Sequence, residues 1–303
     1  MTARTAATKH RVIYQDATSG AEYLAEYAAL METPTNRLRI RAVLEHLAEI
    51  LPPHARVLDV ACGGGAYLQA WQWTHPERPV HAYGVDRGDY CTWAFQQSIR
   101  AAHAVVGDAT QLPFAPSSFD VILAMDIVEH LEDDAGFLVT MHDLLKPGGT
   151  LLLLTQNLLS LENLIGTTTS PLRGSKWVGW DPTHLRFYSY RSLAMLLARA
   201  GLSVVALDGT YYIPFHFPAR VVELGLSKVG LLRLGQVLGG AIHQLLYATN
   251  YPLERWSRRF PLKYCGWGIL LVARRGDTAA LPAPTEVSAR LPKAHLTRGE
   301  TGG

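Results

Sequence analysis

The chain has 303 residues, of which 48% are hydrophobic and 18% are charged, which is sufficient for one large or two small globular domains. Its formal net charge of +2 gives no global field that would attract nucleic acid. The cysteines Cys62, Cys91 and Cys265 are an odd, scattered set without C-x-x-C spacing. We therefore expect neither a disulfide framework nor a zinc site, and we expect a reducing, cytoplasmic environment. The N-terminus lacks the apolar core of a signal peptide, and no uninterrupted apolar stretch reaches ~18 residues.

Two helices and a glycine-rich turn are predicted in the first quarter of the chain. Residues 1–18 are polar and are expected to form a loose tail, followed by helices over 21–31 and 37–51. Residues 57–68 read V-L-D-V-A-C-G-G-G-A-Y-L. This pattern predicts a buried strand, a tight turn and the start of a helix over 66–73.

The glycine turn is typical of two ligand classes. Gly63 and Gly65 fit G-x-G-x-x-G, but Leu68 occupies the position of the third glycine. Asp59 within the strand suits a cationic ligand better than a pyrophosphate, because opposite charges attract strongly where water is sparse. The sequence therefore favours a cationic ligand over a nicotinamide dinucleotide at this turn.

Three further strands carry acidic residues at their ends. Asp86 ends a strand over 80–86, where a carboxylate can accept hydrogen bonds from ribose hydroxyls of either ligand class or can cap the helix over 90–100. Asp108 follows a short strand over 103–106. A strand over 119–125 leads into Asp126, Glu129 and His130, at the edge where ligands of open α/β sheets bind.

The segment after that strand has three alternative interpretations. In a helical turn, Asp126, Glu129 and His130 lie at i, i+3 and i+4 on one face. The group could bind a divalent cation, or it could position His130 as a general base. It could also only shape the pocket, and we expect no metal as the default.

The second half of the chain is less regular. A helix over 135–145 ends at K-P-G-G, a central strand follows over 150–155, and 156–188 read as an irregular lid or substrate loop. A helix over 191–200 and a strand over 203–207 come next, and the final strand is predicted over 266–274. Residues 276–303 read as a disordered tail.

Residues 209–262 form an apolar insertion before the final strand. They are rich in Leu, Val and Gly, and they end in a segment where Trp256 and Phe260 alternate with basic residues. One interpretation is a helical lid that covers the substrate pocket, and the other is peripheral contact with a membrane surface. Either interpretation is compatible with a lipophilic substrate.

Taken together, the motifs resemble the class I S-adenosylmethionine-dependent methyltransferases of the type 11/12-like group. The similarity is carried by the glycine turn, by Asp86, by the runs G-D-A-T-Q-L-P-F and S-F-D, by L-K-P-G-G-T-L-L-L and by D-P-T-H-L-R-F-Y-S. The acid-x-x-Glu-His run at 126–130 is similar to ubiquinone-pathway O-methyltransferases, for which a metal role is described. Ala61 departs from the family pattern, which usually has a glycine there.

The resemblance implies a Rossmann-like, seven-stranded, mostly parallel α/β sheet with helices on both faces and an antiparallel last strand, with a helical insertion before that strand. It implies S-adenosyl-L-methionine as cofactor and a small-molecule acceptor, with O-methylation favoured. The cofactor-binding residues it implies are Asp59, Ala61, Gly63, Gly65, Asp86, Arg87, Asp108, Ala109 and Met125. The catalytic candidates are His130 and His184 as bases, with Glu129 beside them.

Two other functional classes stay open at this stage. A nicotinamide oxidoreductase is disfavoured by Leu68 at the position of the third glycine and by Asp59 within the strand. A non-catalytic methyltransferase-like scaffold that docks to a membrane or a partner through 209–262 is harder to separate from an enzyme. The identity of the acceptor is decided by the lid and the insertion, which are the least motif-like parts of the chain.

Overall fold

The protein is built on one seven-stranded sheet. The computed structural model describes residues 17, 19–169, 177, 179, 181, 183–210, 222–223, 225–257 and 261–276. The strands are β1 Arg56–Val60, β2 His81–Asp86, β3 His103–Val106, β4 Phe119–Met125, β5 Leu145–Gln156, β6 Leu202–Thr210 and β7 Gly268–Arg275. Their order in the sheet is β3-β2-β1-β4-β5-β7-β6; β7 is antiparallel to both β5 and β6, and the other adjacent pairs are parallel. The predicted fold class is confirmed.

Both faces of the sheet are covered by helices. The helices are α1 Gly20–Met31, α2 Pro34–Ile50, α3 Ala66–Thr74, α4 Asp89–Ser98, α5 Asp134–Leu144, α6 Leu161–Thr169, α7 Tyr190–Arg199 and α8 Leu232–Ser257. Along β4, Val121 and Leu123 pack on the face of α2 and α3, whereas Ile122 and Ala124 pack on the face of α5 and α7. Burial on both faces explains why the central strands read as continuous apolar runs.

The structure differs from the sequence-based expectation at both ends of β5. The strand begins at Leu145, before the K-P-G-G run, and its pairing with β4 is interrupted there: Phe119 lies opposite Leu145, but Val121 lies opposite Thr150. The predicted turn therefore lies inside the strand as an irregularity, with Gly148 at φ +74°. Beyond the strand, α6 occupies part of the segment predicted to be irregular.

Helix α6 has an inverted arrangement, with its polar side buried and its apolar side exposed. Its buried residues are Glu162, Asn163 and Gly166, whereas its leucines Leu161 and Leu164 are 50% and 59% exposed. Asn163 donates to the carbonyl of Leu158 and accepts from the indole N–H of Trp177. These hydrogen bonds hold the polar side inward and leave an apolar side on the surface.

The insertion contains one long helix in its described part. Helix α8 has 26 residues and includes Pro252. None of the helices in the described residues is both long and apolar enough to cross a membrane. The predicted boundaries of the insertion and of the terminal tails stay predictions, because 1–16, 211–221, 258–260 and 277–303 lie outside the described residues.

Candidate functional site

The glycine turn joins β1 to α3 with three residues in the left-handed region. Ala61, Gly63 and Gly65 have φ values of +59°, +49° and +78°. The N–H of Gly65 donates to the carbonyl of Cys62 at 2.9 Å and closes the turn. A side chain at a positive φ is strained, which is the physical reason for glycine at such positions. Ala61 therefore adopts the turn despite its methyl group.

Asp59 lies buried at the base of this turn. It is 2% exposed, and its Oδ2 atom has no hydrogen-bond partner within the described part of the chain. Burial raises the pKa of the Asp59 carboxyl well above its ordinary value, and the nearby Asp86 raises it further. A buried carboxylate without a partner is unfavourable, so this group suits a cationic ligand that would neutralise it.

Tyr27 of α1 covers the glycine turn from the outside. A Cβ added at Gly64 would lie 2.4 Å from Cδ1 of the Tyr27 ring, and one added at Gly63 would lie 2.9 Å from its Cε2. The N–H of Ala66 donates to the Tyr27 hydroxyl at 3.4 Å. Burial raises the pKa of Tyr27, and proximity to Asp59 adds to the effect. The sequence analysis placed Tyr27 only within the helix predicted over 21–31, and no spacing pattern distinguishes it there.

Asp86 is held by the backbone on both sides. Its Oδ2 accepts from the N–H of Gly63 at 2.9 Å, and its Oδ1 accepts from the N–H of Gly88 at 3.0 Å. Each carboxylate oxygen has a second lone pair, so the group keeps capacity to accept from ligand hydroxyls. A direct hydrogen bond thus links the predicted glycine turn to Asp86, the residue that is predicted to bind the ribose.

Asp108 and Arg87 form an ion pair at the neighbouring strand end. The Nη2 atom of Arg87 lies 2.5 Å from Oδ2 of Asp108, and the backbone and side chain of Thr110 donate to Oδ1. Those Thr110 hydrogen bonds, and then Arg87, lower the pKa of Asp108. Ala109 beside it and Met125 at the end of β4 are both buried. The predicted residues Arg87, Asp108, Ala109 and Met125 thus lie at the carboxyl ends of β2 to β4.

Asp126 forms an ion pair with Arg39, a residue that the sequence analysis did not single out. It has φ +52° and forms an ion pair with Arg39 of α2, which is 8% exposed. The Arg39 guanidinium lies 5.4 Å from the ring centroid of Trp267. The expected one-face arrangement with Glu129 and His130 is therefore not seen, because the 3₁₀ turn begins only at Val128. An arginine more than 80 residues away could not be paired with Asp126 from spacing alone.

Glu129, His130 and His184 come together instead. One ligand atom from each lies within 4.8 Å of the others, and the two imidazole centroids are 4.8 Å apart. Glu129 is fully buried; its Oε2 accepts from the Thr155 hydroxyl at 2.8 Å, and its Oε1 has no hydrogen-bond partner among the described residues. Burial raises the pKa of Glu129. The cluster could move a proton or hold a divalent cation.

Hydrogen bonds and an ion pair hold the segment that carries His184 against the segment that carries His130. The N–H of Leu185 donates to the carbonyl of Glu129 at 2.9 Å. The Tyr188 hydroxyl lies 2.7 Å from Oδ2 of Asp134, and Arg186 forms an ion pair with the same carboxylate. Two stretches more than 50 residues apart in sequence are thus fixed side by side. They lie where the parallel strands reach their carboxyl ends, which is the ligand edge of the sheet.

Comparisons with known proteins agree with this architecture. Residues 33–207 match the family described as "Methyltransferase domain". The human "Ubiquinone biosynthesis O-methyltransferase, mitochondrial" is 29% identical over 198 residues, which cover 59% of this chain and 52% of that protein. The Idiomarina loihiensis "Ubiquinone biosynthesis O-methyltransferase" is 27% identical over 168 residues, 52% of this chain and 66% of that protein. The chain thus spans between half and two thirds of the length of these relatives.

Solved structures share the fold at low sequence identity. A chain of the complex between the Haloferax volcanii Trm112 methyltransferase activator and a methyltransferase has a TM-score of 0.55 and 19% identity, covering 87% of this chain and 100% of that chain. A Thermotoga maritima S-adenosylmethionine-dependent methyltransferase has a TM-score of 0.53 and 14% identity, covering 84% of this chain and 96% of that chain. The family match extends over more than half of the chain and over β1 to β5 with their ligand edge. The chain therefore belongs to the methyltransferase domain family.

Proposed function

We propose that this chain transfers a methyl group from S-adenosyl-L-methionine to a hydroxyl group of a small, lipophilic acceptor. The observation that carries the proposal is the buried Asp59 carboxylate, whose Oδ2 atom has no hydrogen-bond partner among the described residues and lies at the glycine turn of a methyltransferase domain. S-adenosylmethionine carries an ammonium and a sulfonium group and no phosphate, so it matches an unpaired carboxylate. The O-methylation and the lipophilic acceptor are supported by the names of the relatives.

The residues at the ligand edge fit this cofactor. Asp59, Ala61, Gly63 and Gly65 would hold its amino-acid end, and the raised pKa of Asp59 would be reversed by the bound cation. Asp86 and Arg87 would hold the ribose, and Asp108, Ala109 and Met125 would surround the adenine. When bound, the cofactor supplies an electrophilic methyl group on its sulfonium. The contribution of the protein is then to align the acceptor and to exclude water.

Proton removal from the acceptor would fall to His130 or His184. The two rings lie together at the edge where β4 and β5 end, and the buried Glu129 adjoins them. A general base must lie within hydrogen-bond reach of the proton that it takes, and a neutral imidazole meets this need near pH 7. As a second arrangement, the same three side chains could hold a divalent cation that lowers the pKa of the acceptor hydroxyl.

Exposed apolar side chains on two helices support a lipophilic acceptor. On and before α6, Leu159 and Leu164 are each 59% exposed, and on α8 Val237 and Leu245 are 69% and 64% exposed. Peripheral membrane contact through 209–262 would cover the α8 residues. Vesicle co-sedimentation tests this part: Val237→Ser and Leu245→Ser should reduce binding to vesicles, and equal binding of all variants would exclude α8 as the contact.

Calorimetric titration tests the cofactor. Wild type should bind S-adenosylhomocysteine with micromolar affinity, about −8 kcal/mol, and should not bind NADH. Asp86→Ala should lose this binding, because it removes the acceptor of the Gly63 N–H along with the ribose contact. Asp143→Ala is the matched control, since the Asp143 carbonyl accepts from the N–H of Ser117, which precedes the amino end of β4. Binding of NADH alone would revive an oxidoreductase, and binding of neither ligand would favour a scaffold.

Methylation assays test the acceptor and the base. Hydroxylated aromatic compounds with and without an isoprenoid tail, supplied with the cofactor, should separate by turnover if the acceptor is lipophilic. His130→Ala and His184→Ala should each be tested with and without added Mg²⁺, Mn²⁺ or Zn²⁺. Full turnover in both variants would contradict the assignment of a histidine base. Turnover that requires a cation in wild type would favour the metal arrangement.

A further inference from the structure

Asp181 and Thr183 connect to His130 through one hydroxyl group. The Thr183 Oγ1 atom lies 2.6 Å from Oδ1 of Asp181 and 3.0 Å from Nδ1 of His130. The Thr183 N–H also donates to the same Asp181 oxygen at 2.8 Å. Burial opposes ionisation, but the two Thr183 hydrogen bonds hold the pKa of Asp181 below its ordinary value. Asp181 is therefore a carboxylate at neutral pH and can only accept.

This arrangement determines where the protons lie. A threonine hydroxyl has one proton to donate and lone pairs to accept. The shorter contact is to the carboxylate, so the hydroxyl proton is donated to Asp181. The 3.0 Å contact to His130 can then be a hydrogen bond only if the imidazole Nδ1–H donates to Oγ1. The neutral ring consequently carries its proton on Nδ1 and its lone pair on Nε2.

A second copy of the same turn supports the direction of these bonds. In the Asp108-Ala109-Thr110 segment, the Thr110 hydroxyl donates to Asp108 at 2.7 Å and the Thr110 N–H donates at 2.8 Å. Within the part of the chain that the structure describes, no histidine hydrogen-bonds to the Thr110 hydroxyl. The contact with His130 is thus an addition to a turn that forms in its absence.

We propose that Asp181 and Thr183 are positioning residues that fix the His130 tautomer with Nε2 free to act in the Glu129–His130–His184 cluster. The proposal rests on the proposed function, because it gives the free nitrogen a task, either to accept the hydroxyl proton of the acceptor or to bind a divalent cation. Outer hydrogen bonds of this kind set ring orientation and tautomer in histidine sites. Neither residue touches the acceptor in this assignment.

Nitrogen NMR tests the tautomer without relying on activity. Long-range ¹H–¹⁵N correlation on labelled protein near pH 8 distinguishes a protonated Nδ1 from a protonated Nε2, and His130→Gln identifies the His130 signals. Wild type and Thr183→Ser should show the proton on Nδ1. Thr183→Val should lose that preference. A wild-type ring with its proton on Nε2, or a tautomer unaffected by Thr183→Val, would overturn the proposal even if the protein proved not to be a methyltransferase.

Steady-state kinetics test whether the Thr183–His130 contact affects turnover. Thr183→Val should lower kcat about 10–100-fold with little change in KM for the acceptor, and Thr183→Ser should restore most of the loss. Thr140→Val is the matched control, since among the described residues the Thr140 hydroxyl donates only to the carbonyl of Gly136 in α5. Thermal melts should show both valine variants folded. Equal kcat in Thr183→Val and Thr140→Val would contradict the positioning role, whereas a cofactor that fails to bind wild type would refute only the proposed function.

Discussion

The contact between Tyr27 and Gly64 can be tested by a double-mutant cycle. The φ of Gly64 lies outside the left-handed region, so alanine there meets no backbone strain. Its Cβ would nevertheless lie 2.4 Å and 2.6 Å from two atoms of the Tyr27 ring, where ordinary contact begins at 3.4 Å. The ring must move by roughly 1 Å, which corresponds to overpacking of about 1–3 kcal/mol.

Urea unfolding of four proteins measures this energy. Gly64→Ala should lower the free energy of unfolding by about 1–3 kcal/mol in wild type. In the Tyr27→Ala background it should be neutral or stabilising by up to about 1 kcal/mol, because alanine restricts the unfolded chain. The coupling free energy between the two positions should therefore be about 1–3 kcal/mol in favour of the double mutant.

Gly65 provides the control for the cycle. At φ +78° an alanine is strained, and its Cβ would lie 2.6 Å from Ile99 and 2.7 Å from Phe95. Gly65→Ala should thus be destabilising in both backgrounds. If Gly64→Ala destabilises wild type and Tyr27→Ala equally, Tyr27 does not lie on the glycine turn in solution, and its assignment as the cover of the site is refuted.

Three other substitutions follow from the same site. Ala61→Gly should stabilise the protein by up to about 1 kcal/mol in thermal unfolding, because relief of the strain at φ +59° outweighs the entropy that glycine adds to the unfolded chain. Asp59→Asn should stabilise the ligand-free protein increasingly as pH rises above about 4: the folded-state pKa is raised, so the unfolded state ionises first and wild type loses stability. Arg39→Met should destabilise by about 3–5 kcal/mol, because it leaves Asp126 unpaired, and Asp126→Asn in addition should restore much of the loss.

Each of these has an outcome that contradicts it. Loss of stability in Ala61→Gly would show that the turn is unstrained. A pH-independent effect of Asp59→Asn would show that the carboxyl ionises as readily in the folded protein as in the unfolded chain. Additive losses for Arg39→Met and Asp126→Asn would show that the two side chains do not interact.

Local sequence determined most of the framework of this protein. Strands β3 and β4 have the predicted bounds, and the glycine turn and Asp86 lie where the pattern placed them, because strand periodicity and turn chemistry depend on neighbouring residues. The prediction from sequence missed α6, in which hydrogen bonds from Asn163 accompany an inward polar side. Leu161, Leu164 and Ile165 keep helical spacing, but a helix of nine residues that ends in glycine and three threonines has low intrinsic helix propensity, so local sequence does not distinguish it from a loop.

The tertiary structure alone decided which side chains meet. Spacing suggested that Asp126 would join Glu129 and His130, but the chain turns at Asp126 and directs it to Arg39 on α2. His184, from a segment more than 50 residues away, takes the third place in the cluster. Such pairings depend on how the sheet brings distant strand ends together, and the energy that selects them is a property of the packed protein rather than of any local segment.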